Sequence, residues 1–132
     1  MWADTDAACS RSHRISETAI ISLISIGELE LIVEDINEVV SKEVIATEMG
    51  MASLGYTDYC EGNDNIVIFF DLSHKAVQMI ERNPDINLSE LGYSLTVIVK
   101  FKDGTTETAL IDILIGDDGY MYAVHRGVTV TV

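Results

Sequence analysis

The chain has 132 residues, of which 48% are apolar, and its 22 Asp and Glu residues against 8 Lys and Arg give a net charge of −14. A chain of this length is expected to form one domain and to bury enough apolar surface to need neither a metal ion nor a disulfide. The charge argues against direct binding of nucleic acid or anionic membranes, because both are bound through Lys and Arg. Basic proteins, cations or plain solubility remain as reasons for the acidity.

The N-terminal segment predicts neither export nor membrane insertion. Residues 1–14 are polar and are expected to form a flexible leader before a single α+β domain over residues 15–132. The start lacks the basic and apolar regions of a signal peptide, and the apolar run at 19–26 is far shorter than the ~20 residues that cross a bilayer. Cys9 and Cys60 lack zinc-site spacing, so two unpaired thiols in a reducing cytoplasm are expected.

A long amphipathic helix is predicted from near Ser25 to Gly50. Ser25 and Glu28 match the Ser-x-x-Glu capping box, and the apolar residues from Leu29 to Val44 follow helical spacing. The opposite side of this helix would carry like charges at intervals of four residues, namely Glu30, Glu34 and Glu38.

After this helix the pattern changes to a period of two. Residues 55–60 and 66–72 predict a hairpin whose second strand is buried on both faces. Residues 73–82 predict a short helix, which the following Asn-Pro pair ends because proline cannot continue a helix. Two further strands are predicted near the C-terminus, at residues 120–125 and 128–132. The expected fold class is α+β, with one long amphipathic helix and one short helix packed on an antiparallel sheet of about five to six strands.

The clearest hairpin signal is Asp103-Gly104 between the alternating runs 93–102 and 105–115. A two-residue loop at this Asp-Gly pair sets the register, so that Lys100 faces Glu107 and Asp112 lies opposite Leu95.

In that register Asp112 shares an apolar face with Tyr93, where burial would raise the pKa of the carboxyl group unless a partner stabilised its charge. Two interpretations stay open, a proton-transfer or specificity group, and a carboxylate hydrogen-bonded to the backbone or to Tyr93.

No catalytic, cofactor or metal site is predicted. The chain lacks a nucleophile elbow, a phosphate-binding loop, a dinucleotide fingerprint and a zinc-protease motif. The acidic turns at 61–65 and 115–119 do not match the spacing of a calcium-binding EF-hand and are explained by turn propensity. The histidines lie in three different segments: His13, His74 and His125. A small enzyme using Asp112 with His74 or His125 is the least favoured alternative.

The charge distribution favours a binding function. Residues 28–66 contain ten acidic residues and one lysine. Small size and high acidity are typical of stoichiometric inhibitors, such as phage proteins that block CRISPR or restriction nucleases and immunity proteins against nuclease toxins. The leading hypothesis is a small cytoplasmic protein that inhibits a basic, nucleic-acid-binding target by mimicking the charge of nucleic acid. The residues expected to contact this partner are Glu28, Glu30, Glu34, Asp35, Glu38, Tyr56, Asp58, Tyr59, Glu61 and Asp64.

The alternative hypothesis is a structural or assembly subunit. Both faces of the 93–115 hairpin are expected to be partly apolar, which is more surface than two helices are expected to cover. The last strand, VTVTV at 128–132, contains no charged residue that would discourage strand pairing. A homo-oligomer formed through these surfaces is therefore the second candidate.

Overall fold

Strands dominate the structure. The computed structural model describes residues 13–23, 27–55 and 65–132, with the side chains of 20–23 left aside. Within these residues there are eight strands, one α-helix and two short 3-10 turns. In chain order they are β1 (Ile15–Leu23), β2 (Gly27–Val33), a 3-10 turn (Ile36–Glu38), β3 (Val39–Ala46), β4 (Gly50–Leu54), β5 (Asn65–Leu72), α1 (His74–Arg82), a second 3-10 turn (Leu88–Leu91), β6 (Tyr93–Phe101), β7 (Thr106–Ile115) and β8 (Met121–Thr131).

Two four-stranded antiparallel sheets pack face to face as a β-sandwich. Sheet A has the strand order β1-β2-β5-β4, and sheet B has the order β3-β6-β7-β8. One apolar core lies between the sheets, since Leu29 and Ile68 of sheet A belong to the same buried cluster as Val97 and Ile111 of sheet B. Each such side chain contributes about 1.5–3 kcal/mol when it is fully removed from water. Burial between the sheets is therefore the main force that holds the fold together.

The predicted long helix is wrong, because β2, β3 and β4 occupy its range. In β2 the buried side chains are Leu29, Leu31 and Val33, which lie at every second position as a half-buried strand requires. Leu29 and Val33 are also four residues apart, so the same segment satisfies helical spacing. The β-branched residues of β3 favour a strand, because they fit a pleated surface better than a helix.

The predicted fold class is therefore also wrong, since two sheets and a single α-helix replace one sheet and two helices in the described part of the chain. The short helix at 73–82 is confirmed as α1, and Ser73 caps it by accepting a hydrogen bond from the Ala76 amide at 3.2 Å. Ala76 packs against Leu91 and Ile115 at one end of the sandwich. The helix thus closes one end of the core and does not pack on the outer face of either sheet.

The hairpin predicted at 55–60 and 66–72 is correct in its second strand, which is β5. The described ladder partners of β5 are β2 and β4, and most of the first predicted strand lies outside the described residues. The prediction that β5 is buried on both faces is wrong, because Ile68 and Phe70 are buried whereas Phe69 between them is exposed. The outward side of β5 therefore belongs to the surface.

The hairpin of β6 and β7 is confirmed, but its predicted register is wrong by one residue. Val99 pairs with Glu107 and Lys100 pairs with Thr106. The loop has three residues, because Gly104 adopts a φ of 90° and its amide bonds to the Phe101 carbonyl, as in a type I turn followed by a glycine bulge. A shift of one residue turns every side chain of a strand to the opposite face. Glu107 consequently points into the core, and Asp112 points out.

The buried Glu107 links sheet B to the first strand of sheet A. Its side chain is 1% exposed. It accepts hydrogen bonds from the Arg14 amide at 2.7 and 2.8 Å and from the Ile15 amide at 2.9 Å. The Arg14 guanidinium lies 4.6 Å from the ring centre of Phe101 and forms an ion pair with Asp103. Glu107 therefore holds the start of β1 against β7.

The two predicted C-terminal strands form one continuous strand, β8, at the edge of sheet B. A bulge interrupts its pairing with β7 between Leu110 and Ile111. The extra residue is Arg126 of β8, and Gly127 beside it has a φ of 124°, a conformation that favours glycine. The uncharged segment Val128–Val132 is thus part of an edge strand.

Replacing Glu107 by glutamine should destabilise the fold by about 1–3 kcal/mol, because the bonds to a charged acceptor are lost and the new NH₂ group faces the Arg14 amide, which now donates to both carboxylate oxygens. Urea unfolding of Glu107→Gln measures this loss. Glu43→Gln, an exposed change on β3, is the matched control and should stay within about 0.5 kcal/mol of the wild type. Equal stability of the two variants would contradict the assigned role of Glu107.

Candidate partner-binding site

The outer face of sheet A combines carboxylates with exposed apolar side chains. Residues that alternate with the buried ones point outward. In the register of the sheet, Glu28 lies across from Phe69, and Met51 lies across from Asp71. Ser53 faces Phe69 from the other side. We refer to this surface as the acidic face, and its members are Glu28, Glu30, Met51, Ser53, Val67, Phe69 and Asp71.

The net charge of the strands is concentrated in sheet A. Its strands contain four acidic residues and neither Lys nor Arg. The strands of sheet B contain three acidic and three basic residues, so their formal charges cancel. Three of the four acids of sheet A lie on the acidic face, where Glu30 also accepts a hydrogen bond of 2.9 Å from the Asn65 side chain. The strands of sheet A therefore attract cations, whereas the charges of the strands of sheet B cancel.

A small apolar cavity opens on the acidic face between β4 and β5. It has a volume of about 170 Å³ and is lined by Met51, Ala52, Ser53, Phe69, Phe70 and Asp71. Met51 is 56% exposed and Phe69 is 38% exposed. Exposed side chains of this size next to a cavity are typical of surfaces that bind another molecule.

The structure separates the acidic residues that the sequence placed on one helix. Glu28 and Glu30 lie together on the acidic face. Glu34 and Asp35 follow the end of β2, where Asp35 caps a 3-10 turn by accepting a 3.0 Å hydrogen bond from an amide. Glu38 ends that turn on the side of sheet B, close enough to Arg14 to raise the pKa of the guanidinium slightly, after the larger effects of Asp103 and Glu107. The prediction of a continuous row of carboxylates at helical spacing is therefore wrong.

The other predicted partner-binding residues lie outside the described residues: Tyr56, Asp58, Tyr59, Glu61 and Asp64. The same holds for both cysteines, Cys9 and Cys60, and for most of the predicted leader at 1–14. These predictions stay predictions.

Asp112 lies on the outer face of sheet B and carries an ion pair. It accepts hydrogen bonds from the Ser94 hydroxyl at 2.8 Å and from Arg126 Nε at 2.7 Å. These two bonds, the Arg126 one foremost, hold the pKa of the Asp112 carboxyl below its usual value. The predicted position of Asp112 on an apolar face is therefore wrong, because of the register error in the hairpin. Asp112 is a hydrogen-bonded carboxylate, with Ser94 and Arg126 as partners in place of the expected backbone or Tyr93. The remaining candidates for proton transfer, His74 and His125, are not among the described hydrogen-bond partners of Asp112.

The outer face of sheet B is partly apolar, and the formal charges of its strands cancel. Leu110, Leu114 and Tyr122 are exposed on it, beside the pair of Asp112 and Arg126. The expectation that both faces of the 93–115 hairpin are partly apolar is therefore confirmed. This surface is the second candidate site.

No match was found for this chain among protein-family models, curated proteins or solved structures. In the ranges 13–23, 27–55 and 65–132, no helix is both long and apolar enough to span a membrane. In the same ranges no three His, Cys, Asp or Glu side chains are grouped so that they could hold a metal ion. What the acidic face offers chemically is fixed negative charge beside an apolar cavity.

Sequence analysis missed the apolar half of the acidic face. Val67, Phe69 and Asp71 alternate with buried residues, and this period of two was the available signal. The unbroken apolar run at 66–70 also fits a strand buried on both faces, and that alternative conceals the alternation. No strand is predicted for Met51 and Ser53, because β4 begins at Gly50, where the long helix was expected to end.

Replacing Arg126 by glutamine should raise the pKa of Asp112 toward the ordinary value of about 3.9, because the main stabilising hydrogen bond is lost. A carboxyl-detected NMR titration measures this change, with Arg82→Gln on α1 as the control that should leave Asp112 unaffected. Because the pKa of Asp112 is lower in the folded than in the unfolded chain, the contribution of the pair to stability is present above about pH 4 and is lost as the pH falls through the folded value. This contribution is about 0.2–1 kcal/mol, as is usual for a partly exposed pair. An unchanged Asp112 titration in Arg126→Gln would contradict the assignment.

Proposed function

We propose that this protein acts by binding rather than by catalysis, and that its acidic face takes a basic partner protein. The observation that carries the proposal is the composition of sheet A, whose strands hold four acids and no Lys or Arg, with Met51 and Phe69 exposed between the carboxylates. Charge complementarity of this kind speeds association and selects the partner. The apolar side chains supply the contact area that charge alone does not provide.

The class of partner that fits best is a basic protein that handles nucleic acid in the cytoplasm. Such a protein has a surface rich in Lys and Arg that is built to hold phosphates. Glu28 and Glu30 are two residues apart on one face of β2, which spaces them about 6.6 Å apart along an extended strand. Occupying the basic surface with these carboxylates would exclude nucleic acid from it. The proposal is therefore a stoichiometric inhibitor, with a shorter charged surface than the helical arrangement that the sequence suggested.

Reversing the charge of Glu28 and Glu30 together should weaken partner binding by roughly 10- to 100-fold, because like charges across an interface cost several kcal/mol and every ~1.4 kcal/mol is about tenfold. The wild type, Glu28→Lys/Glu30→Lys and a control variant are immobilised and used to capture proteins from lysate. The captured amounts are compared at about 0.1 M and 1 M salt, where the Debye length falls from about 10 Å to about 3 Å.

The control is Glu81→Lys/Glu90→Lys, which changes the net charge equally at exposed positions away from the acidic face. The wild type and the control should retain the same basic proteins at low salt and release them at high salt. A purified captured protein should then lose nucleic-acid binding when one equivalent of the wild type is added. Equal losses in both double variants, or a captured protein that still binds nucleic acid, would contradict the proposal.

A second candidate function, an assembly subunit, is favoured by the edge strand β8. Its ladder partner within the described residues is β7, and on its other side β1 approaches the middle of the strand, where Glu17 lies beside Gly127. The last part of β8, from Val128 to Thr131, carries no charged side chain. An uncharged edge of this kind is a template for pairing with another chain. Self-association along β8 would extend sheet B and use the apolar side chains on its outer face.

If β8 mediates assembly, Thr129→Lys should convert any oligomer to monomers, because an outward lysine on an edge strand opposes pairing. Light scattering coupled to size-exclusion chromatography measures the mass of the wild type and the variant at equal concentration. Ser41→Lys places the same charge on β3 at the opposite edge of sheet B and should leave the mass unchanged. A monomeric wild type would remove this candidate.

A further inference from the structure

The cavity on the acidic face has two apolar and two polar walls. Met51 and Ser53 point outward from β4, and Phe69 and Asp71 point outward from β5. The paired backbones of Ala52 and Phe70 complete the lining. The cavity is therefore formed by neighbouring strands of one hydrogen-bonded ladder, so its walls are held by the sheet itself.

Its size suits one bulky apolar side chain. The volume is about 170 Å³, and an apolar cavity of about 150 Å³ in a protein interior is large enough to hold benzene. A leucine, methionine or phenylalanine side chain therefore fits. Met51 on the rim is unbranched and adapts its shape to the group that enters.

The nearest carboxylates lie at distances that suit an extended chain. Asp71 lines the cavity, and Glu28 lies on β2, on the far side of Phe69. Neighbouring strands are about 4.8 Å apart, so β2 is about 7 Å from the middle of the gap between β4 and β5. In an extended segment, side chains two residues apart point to the same side and are separated by about 6.8 Å. The same segment can therefore fill the cavity and reach Glu28.

We propose that the acidic face recognises an extended basic segment in which a bulky apolar residue enters the cavity and a Lys or Arg two residues away pairs with Glu28, while Asp71 in the cavity wall adds a second negative charge that attracts the segment. This inference rests on the proposed binding function and names the part of the partner that is bound. Charge complementarity selects this occupant. The carboxylates repel nucleic acid and anionic lipid, and a second copy of this chain would bring a net charge of −14.

The test uses three labelled seven-residue peptides and fluorescence anisotropy. The first has the central sequence Lys-Thr-Leu-Thr-Lys, the second replaces Leu by Ser, and the third replaces both Lys by Glu. The wild type should bind the Leu peptide about tenfold more tightly than the Ser peptide, as expected from burying one leucine side chain, and should not bind the Glu peptide. Ser53→Phe fills the cavity from its own wall and should reduce the difference between the Leu and Ser peptides to less than about twofold, while salt-sensitive binding of both remains.

Thr108→Phe on the outer face of sheet B is the matched control and should preserve the preference for Leu. A measurement on the wild type alone supports the same conclusion, since the Leu peptide should shift the NMR signal of the Met51 methyl group and the Ser peptide should not. Equal binding of the Leu and Ser peptides by the wild type would overturn this inference and leave the proposed function standing. Failure of both basic peptides to bind at low salt would overturn the two together. If folded Ser53→Phe still preferred the Leu peptide, the leucine side chain would bind outside the cavity, and this result would also overturn the inference.

Discussion

Successive side chains of a β-strand point to opposite faces, and this constraint decides where the charge of the protein lies. In β2 the apolar residues Leu29, Leu31 and Val33 are buried against sheet B. Because these residues must leave water, the acids that alternate with them, Glu28 and Glu30, must point outward. The neighbouring strands obey the same alternation, which brings Phe69, Met51 and Asp71 to the same side of sheet A. The acidic face is thus a direct consequence of how the core is filled.

One acid is an exception to this rule, and its structural role differs accordingly. Glu107 points inward, which is costly for a polar group unless hydrogen bonds replace its water. The amides of Arg14 and Ile15 supply those bonds, and the Arg14 side chain adds a nearby positive charge. The same contact ties β1 of sheet A to β7 of sheet B. A residue that was predicted to face Lys100 across the hairpin is therefore a link between the two sheets.

Local signals in the sequence were sufficient for some elements and insufficient for others. The helix α1 was predictable because Ser73 caps it and a proline follows it, and the β6–β7 hairpin was predictable from Asp103-Gly104. The length of that hairpin loop was not, since a glycine with positive φ serves both two-residue and three-residue loops. Residues 27–33 satisfy both periods, and their burial against sheet B favours the strand. The acids of the candidate site were predictable from charge, whereas its apolar cavity depends on the pairing of β4 with β5 across an intervening segment.

The central claim is that residues 27–33 form a strand whose acids face solvent beside Phe69. Through-space NMR contacts along and across this segment test it most directly. If the segment is a strand of sheet A, cross-strand contacts should pair Glu28 with Phe69 and Leu29 with Ile68. Contacts between the Hα of each residue and the amide proton three residues later, continuing from 27 to 45, would show a helix and would contradict the fold, the acidic face and the binding proposals together.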